Sequence, residues 1–179
     1  MGASGCNSGV ECLLPKQAVV GSNPITRSMT PGGRRMESDK KGFLAEKRIA
    51  VVGVSRTRGF GNIAFRELKK KGYQVYAVNR HAATAEGVTC YRSLDELPEP
   101  VGAVLAVVAP AETEKVVADC ARLGIKRVWM QRGAESAEAV RLCNEAGISE
   151  VHGACILMHA DPTSVHRFHR WVWGILGKL

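Results

Sequence analysis

Residues 48–62 read RIAVVGVSRTRGFGN, and this stretch decides the fold of the chain. The apolar residues 49–52 predict a short strand, and Gly53 follows them directly as a turn residue. A basic loop and a further glycine, Gly61, lead into a predicted helix. A strand, a glycine turn and a helix N-terminus together form an anion site, because the helix end offers backbone N–H groups and the positive end of its dipole. The stretch therefore predicts a site for the diphosphate of a nucleotide.

Strands and helices alternate regularly after this stretch. The predicted strands cover residues 48–54, 74–79, 101–108, 127–130 and 150–152, and the predicted helices cover residues 61–71, 111–123, 136–146 and 163–176. This alternation with short connections predicts a single Rossmann-like α/β domain with a doubly wound, parallel, five-stranded sheet. The near-continuous apolar strands agree with a sheet that is buried on both faces. A ligand crevice is expected where the strand order reverses, at the carboxyl ends of the first and fourth strands.

The N-terminal segment differs from the rest of the chain in composition. Gly, Ser, Pro and Asn recur in residues 1–40 without a helical or strand period, which predicts a disordered or non-native extension. Residues 21–24, GSNP, are what one reading frame of the T-arm of transfer-RNA genes encodes, so Met29 or Met36 is the expected true start. A natural flexible tail is the alternative. The folded domain is expected to cover residues 41–179.

Composition and charge limit the classes of partner. The chain has 179 residues and a net charge of +8, which suits an anionic ligand. It shows no RNA-binding signature and no helix-turn-helix pattern, so a nucleic-acid partner is not expected. No apolar run approaches the roughly 18 residues that a membrane span needs. The six cysteines form no C-x-x-C or metal-finger spacing, and a reduced protein in the cytoplasm is expected.

The end of the second predicted strand bears on which nucleotide binds. A NAD-binding fold carries G-x-G-x-x-G and an acidic residue about 20 positions further on, which holds the ribose hydroxyls. This chain has a longer loop after Gly53, and its second strand ends in Asn79 and Arg80 instead of an acid. Arg80 can pair with the 2′-phosphate of NADP or with the 3′-phosphate of coenzyme A. Arg56 and Arg58 add guanidinium groups whose forked geometry matches phosphate.

Several segments, taken together and in order, resemble a known family. They are the Gly53-Val54-Ser55 turn, Gly72-Tyr73 before Val78-Asn79, residues 90–98 (CYRSLDELP), residues 128–134 and residues 153–158. With these segments, the region from about residue 43 to residue 159 is similar to the bacterial CoA-binding domain family. Its members are small, stand-alone relatives of the N-terminal domain of succinyl-CoA ligase alpha subunits. One departure is Arg80, where relatives often have proline.

The resemblance implies that coenzyme A, or an acyl-CoA, binds across the carboxyl edge of the sheet. The diphosphate is then expected beside the first loop and helix start, at Gly53, Ser55, Arg56, Arg58, Gly61 and Asn62. The other contacts implied are Asn79 and Arg80 near the adenosine phosphate, Val108 and Pro110 beside the adenine or pantetheine, and Gln131 and Gly133 near the pantetheine arm. Only the placement of the diphosphate also follows from the residues themselves.

The sequence shows no complete catalytic constellation, so no catalytic residue is predicted. In the ligases that the family resembles, the phosphorylated histidine lies in a second domain, and none is expected here. Cys155 is expected near the sheet edge, either facing the thiol of the coenzyme or packed in the core. His166 and His169 share a predicted helix face, but without a cysteine pair or a second acidic ligand they do not predict a metal site.

Three functions remain open from the sequence. A non-enzymatic protein that binds coenzyme A is favoured. The alternatives are an NADP-dependent oxidoreductase or other nucleotide-binding protein, and a scaffold with a vestigial site. Apolar residues on more than one face of the last predicted helix, Phe168, Trp171, Trp173 and Ile175, fit either core burial or the seam of a homodimer.

Overall fold

The computed structural model describes residues 31–160, with the side chains of residues 36–160. The helices are α1 (Pro31–Ala45), α2 (Phe60–Lys70), α3 (Pro110–Leu123), α4 (Ala137–Glu145) and α5 (Ile156–Ala160). The strands are β1 (Arg48–Val52), β2 (Gln74–Val78), β3 (Thr84–Ala85), β4 (Val88–Tyr91), β5 (Ala103–Ala106), β6 (Arg127–Met130) and β7 (Ser149–Val151). A 3₁₀ turn, Leu94–Glu96, follows β4.

The seven strands form one mixed, mostly parallel sheet in the order β3-β4-β2-β1-β5-β6-β7. Only the β3–β4 pair is antiparallel. The predicted Rossmann-like, single α/β domain is confirmed, but the predicted count of five strands is too low. The missing strands are β3 and β4, which are short and flank a glycine turn. β4 is a strand because it pairs with β2, with Ala77 opposite Cys90 and Val78 opposite Tyr91.

The strand order corrects the expected position of the crevice. β1 lies between β2 and β5, so the order reverses between β1 and β5. β6, the fourth strand predicted from the sequence, lies one position further out, so the expected pairing of first and fourth strands is wrong. The physical reason is burial: all four residues of β5 are fully buried, which requires a central position with a helix layer on each face.

The core has two apolar layers, one on each face of the sheet. Successive residues of β1 point to opposite faces, so Ile49 and Val51 lie in one layer and Ala50 and Val52 in the other. The first layer contains buried residues of α1, α2 and α5, and the second contains those of α3 and α4. All the parallel strands therefore end at the same edge of a covered sheet, which is where loops can form a site.

Helix α1 overlaps the last ten residues of the segment predicted to be irregular. Phe43, which is 1% exposed, packs edge-to-face on Trp129 of β6 with ring centroids 5.4 Å apart. Ser149 Oγ of β7 donates a hydrogen bond of 2.7 Å to the Asp39 carboxylate, and Arg127 pairs with Glu46 just after the helix. The prediction differs from the structure for residues 31–40, because tertiary packing supplies order that local composition does not show.

Other predictions fall outside the described residues. They concern the origin of residues 1–30, the closing helix at 163–176 with its apolar residues, and the histidines at 166 and 169. Among residues 31–160, no helix is both long and apolar enough to cross a membrane.

Candidate functional site at the carboxyl edge of the sheet

The turn after β1 brings three backbone segments into contact. The Gly53 N–H donates to the carbonyl oxygen of Val78 at 2.9 Å, which ties the ends of β1 and β2 together. Gly53 has φ +106°, and a Cβ there would overlap the carbonyl oxygen of Val107. A Cβ on Gly61 would overlap the carbonyl oxygen of Gly53. Both positions need glycine, and the first turn of α2 consequently begins against the end of β1.

The N-terminus of α2 carries no side-chain cap. Its N-cap residue, Gly59, is extended (φ −171°, ψ 171°), and the first turn contains no acidic residue. No carboxylate of that turn therefore neutralises the positive end of the helix dipole, and Glu86, which bonds the Asn62 side chain there, is itself paired with Arg66. Arg56 and Arg58, in the loop before it, are exposed and form no hydrogen bond or ion pair within the described residues. A helix N-terminus without a side-chain cap is a favourable position for an anion.

Asn62 is engaged inside the protein. Its side chain is 1% exposed, and its Oδ1 accepts the backbone N–H of Ser55 at 3.0 Å. Its Nδ2 donates to the carbonyl oxygen of Ser55 at 2.7 Å and to Glu86 Oε1 at 2.8 Å. The Ser55 hydroxyl is 3.0 Å from the hydroxyl of Thr57 and accepts its backbone N–H at 3.1 Å. The side chain of Asn62, predicted as a ligand contact, thus shapes the loop that holds Ser55.

A cavity of about 370 Å³ opens at the carboxyl ends of β1, β2 and β4, beside the first turns of α3. Its lining is Val52, Gly53, Val78, Asn79, Arg80, His81, Arg92, Ser93, Leu94, Val108, Glu112, Val116 and Asp119. The buried valines and Leu94 form an apolar floor, and the charged residues form the rim. This volume lies at the low end of the roughly 300–1,000 Å³ typical of small-molecule pockets, so the cavity can hold part of a small-molecule ligand.

Charges of both signs lie on the rim of the cavity. Arg80 NH2 is 3.0 Å from Glu112 Oε2, and Lys115 Nζ is 2.7 Å from the other oxygen of that carboxylate. The hydrogen bond from Lys115, aided by the charges of Arg80 and His81, lowers the pKa of the Glu112 carboxyl. Glu112 therefore stays ionised at neutral pH and pairs with Arg80, the residue predicted to receive the adenosine phosphate. A phosphate that binds Arg80 must compete with this carboxylate.

Asn79 orders the loop after β2. Its Nδ2 donates to the carbonyl oxygen of Val54 at 2.8 Å, and its Oδ1 accepts the N–H of His81 at 2.8 Å. Its own backbone N–H donates to the carbonyl oxygen of Tyr91, which joins the ends of β2 and β4. Asn79 thus lines the cavity and also fixes the positions of Arg80 and His81 on its rim.

The predicted residues fall into three groups in the structure. Gly53, Asn79, Arg80 and Val108 line the cavity, and Ser55, Arg56, Arg58, Gly61 and Asn62 lie in the adjoining loop and helix start. Pro110, Gln131 and Gly133 do not line the cavity.

The three outlying residues have other surroundings. Pro110 is the exposed first residue of α3. Gln131, 7% exposed, follows β6 and accepts the backbone N–H of Ile156 through Oε1 at 3.3 Å. Gly133 is exposed with φ +88°, and its N–H donates to Glu135 at 2.6 Å. The expected positions of Pro110 beside the adenine or pantetheine, and of Gln131 and Gly133 near the pantetheine arm, stay predictions.

Sequence reasoning missed five polar residues of the cavity: His81, Arg92, Ser93, Glu112 and Asp119. Arg92 and Ser93 follow β4, and the signal that could have found them is the strand itself, because a parallel neighbour of β2 must end at the same edge. Glu112 lies in the first turn of α3 and Asp119 about two turns further on, on the side of the helix that faces the cavity. Finding them required the strand order.

Cys155 and His159 lie on the other face of the sheet from the cavity. Cys155 is a half-buried free thiol packed against the apolar layer that contains α1 and α2. The His159 ring lies 5.7 Å from that of Trp129. No group of three metal-binding side chains occurs within residues 31–160.

Comparison with known proteins decides the family. The family model described as a CoA binding domain matches residues 47–161, which contain β1 to β7 and every lining residue of the cavity. The chain belongs to the CoA binding domain family. In this CoA binding domain, the matched region begins just before β1 and includes the glycine turn and the loop that Asn62 shapes.

Solved structures share this fold. A hypothetical protein from Pyrococcus horikoshii OT3 superposes with a TM-score of 0.65 at 31% identity, covering 69% of this chain and 88% of that one. A conserved hypothetical protein from Pyrococcus furiosus has a TM-score of 0.59 at 38% identity, covering 63% of this chain and 97% of that one. The shared fold therefore makes up most of each of these two solved proteins.

A curated relative is much longer. The ADP-forming acetate–CoA ligase II of Archaeoglobus fulgidus is 31% identical over 125 residues, which are 64% of this chain and 18% of the ligase. The chain thus spans less than a fifth of the ligase that it resembles.

Proposed function

We propose that this CoA binding domain binds coenzyme A, or an acyl-CoA, without carrying out a reaction on it. The observation that carries the proposal is the cavity beside the Gly53 turn, which lies wholly within the region that matches the family. It occupies the carboxyl edge of the sheet beside the β1–β5 reversal, the usual ligand position in open α/β sheets. The acetate–CoA ligase similarity supports the same class of ligand.

The charges and shapes of the site suggest how the coenzyme lies. The apolar floor of Val52, Val78 and Leu94 suits the flat adenine ring, and Arg80 and Arg92 on the rim suit the phosphate on its ribose. The diphosphate then crosses Gly53 toward the N-terminus of α2, where the dipole and the N–H groups that have no side-chain cap favour an anion.

Calorimetric titration of the full chain tests the proposal. Coenzyme A and acetyl-CoA should bind, dephospho-CoA should bind more weakly because it lacks the ribose phosphate, and NAD and NADP should bind weakest. Tighter binding of NADP than of coenzyme A contradicts the proposal. Chromatography of acetyl-CoA after incubation should recover it unchanged; hydrolysis or acyl transfer contradicts the non-enzymatic part.

A matched pair of arginine variants tests the loop. Arg56→Ala should weaken coenzyme A binding about ten-fold, as expected for losing one charge-assisted hydrogen bond. Arg141→Ala is the control, because Arg141 is equally exposed but lies on α4, where it pairs with Glu138 and Glu145. Unchanged affinity in Arg56→Ala removes Arg56 from the site.

A further inference from the structure

One buried amide joins two segments that lie far apart in the chain. Asn62 is one of three buried polar residues within the described part of the chain. Both protons of its Nδ2 are used, one by the carbonyl oxygen of Ser55 and one by Glu86 Oε1, and its Oδ1 accepts the Ser55 N–H. A buried amide is stable only when its donors and acceptors are satisfied, and here Glu86 supplies the one partner from outside the loop.

Glu86 occupies an unusual position for its residue type. It is the only non-glycine residue with positive φ within residues 31–160, at +53°, and Gly87 follows at +71°. The two residues connect β3 to β4 with the pair of positive φ values typical of a type I′ turn, a place that favours Asn or Asp before glycine. The positive φ at this position does not favour glutamate. Its side chain must therefore account for its presence.

The carboxylate of Glu86 points at α2. Besides Asn62 it contacts Arg66 NH1 with both oxygens at 2.9 Å. Burial raises the pKa of Glu86, but the bonds from Asn62 and Arg66 outweigh it and hold the pKa below its ordinary value. The group is thus an ionised, oriented acceptor that reaches from the β3–β4 hairpin to the first turns of α2.

The loop after β1 depends on this arrangement. Ser55 is held at both its backbone N–H and its carbonyl by the one side chain of Asn62. Within the described residues, its hydroxyl bonds only to Thr57 of the same loop. Arg56 and Arg58 are exposed with no hydrogen-bond or ion-pair partner among residues 31–160. If the loop is already ordered in the free protein, ligand binding does not incur the entropic cost of ordering it.

We propose that Glu86 is a positioning residue for the phosphate-binding loop: by orienting Asn62 it holds residues 55–58 in the shape that receives the diphosphate. This inference rests on the proposed function for its ligand, but its structural step can be measured without any ligand.

The Glu86→Asp variant distinguishes a role in positioning the phosphate-binding loop from a role only in stabilising the β3–β4 turn. Asp followed by Gly is a preferred type I′ pair, so the turn should be at least as stable as in the wild type. The carboxylate is, however, withdrawn by one methylene, about 1.5 Å, which takes it beyond hydrogen-bonding distance of Asn62 Nδ2. Glu86→Gln is the rescue variant, because its amide oxygen can still accept from Asn62. Arg66→Ala is the control that removes the other partner of Glu86 and leaves Asn62 bonded.

The first measurement is limited digestion with trypsin in the absence of ligand, with cleavage sites identified by mass spectrometry. Glu86→Asp should be cut faster after Arg56 and Arg58, and at an unchanged rate after Arg132, an exposed arginine in the loop after β6. Glu86→Gln and Arg66→Ala should match the wild type. Equal cleavage of Glu86→Asp and wild type, or faster cleavage at all three arginines, overturns the inference.

The second measurement is the affinity of each variant for coenzyme A and for adenosine 3′-monophosphate, which lacks the diphosphate. Glu86→Asp should bind coenzyme A about ten-fold more weakly and adenosine 3′-monophosphate unchanged. A merely structural role would weaken both ligands equally, and that result overturns the inference. A wild type that binds neither ligand overturns the proposed function, whereas a wild type that binds coenzyme A with Glu86→Asp unchanged overturns only the role of Glu86.

Discussion

Replacing Gly59 by aspartate places a carboxylate at the uncapped N-terminus of α2. The backbone there is extended (φ −171°), which any residue adopts, and a Cβ would meet only Asn62 Oδ1 at 3.6 Å, an ordinary contact. An aspartate N-cap is worth a few tenths of a kcal/mol over glycine, and its charge on the helix dipole adds about 0.3–1 kcal/mol. Gly59→Asp should therefore raise the free energy of unfolding by about 0.5–1 kcal/mol and the Tm by about 1–4 °C.

The same carboxylate should weaken ligand binding. It takes up N–H groups that the diphosphate needs and repels the phosphate charge; two unit charges about 4 Å apart interact by about 1 kcal/mol in water and more near a protein surface. Coenzyme A affinity should fall at least about ten-fold. Thermal unfolding followed by circular dichroism gives the stability, and calorimetry gives the affinity.

A variant that is more stable and yet binds coenzyme A more weakly cannot be explained by misfolding. Gly59→Asn is the matched control, because it caps the helix without adding charge and should weaken binding less than Gly59→Asp. A Gly59→Asp protein that is more stable yet binds coenzyme A like the wild type refutes the placement of the diphosphate at α2. Unchanged stability refutes the assignment of Gly59 as an open N-cap.

Two further predictions concern the fold. Gly61→Ala should lower the free energy of unfolding by about 1–3 kcal/mol in a urea titration, because its Cβ overlaps the Gly53 carbonyl oxygen; a variant as stable as the wild type contradicts that close approach. Burial, aided by the charge of Lys40, lowers the pKa of His159 below its ordinary 6.5. The unfolded chain then takes up this proton first as pH falls, so stability should drop as the pH is lowered through 6.5. His159→Gln should flatten that dependence, and an unchanged slope contradicts the assignment.

The strands that consist mainly of apolar residues could be predicted from the sequence alone. β1, β5 and β6 are continuous apolar runs, and glycines close the helices between them, so their positions follow from local pattern. β3 and β4 have two and four residues and mixed exposure, and they exist because β4 pairs with β2. Pairing partners are a tertiary property, and the strand order could not be read from the chain.

The residues of the site could likewise be predicted from the sequence only where the local pattern places them. Gly53 and Asn79 follow strands directly, so their place at the carboxyl edge was accessible from the sequence. Glu112 and Arg92 reach the cavity only through the strand order. The contact between Asn62 and Glu86 spans 24 residues and depends on a hairpin with no strong local signal. Polar residues in a predicted phosphate loop therefore looked like ligand contacts, although one of them supports the backbone.

The strands at the two ends of the sheet are its shortest. β3 has two residues and β7 has three, whereas the inner strands have four or five. An outer strand exposes unpaired N–H and carbonyl groups that can recruit a strand of another molecule, and short outer strands limit that recruitment. A sheet whose central strands β1, β5 and β6 are largely apolar would aggregate more readily if it ended in a long open edge. The small hairpin beside β2 thus also protects the protein from aggregation.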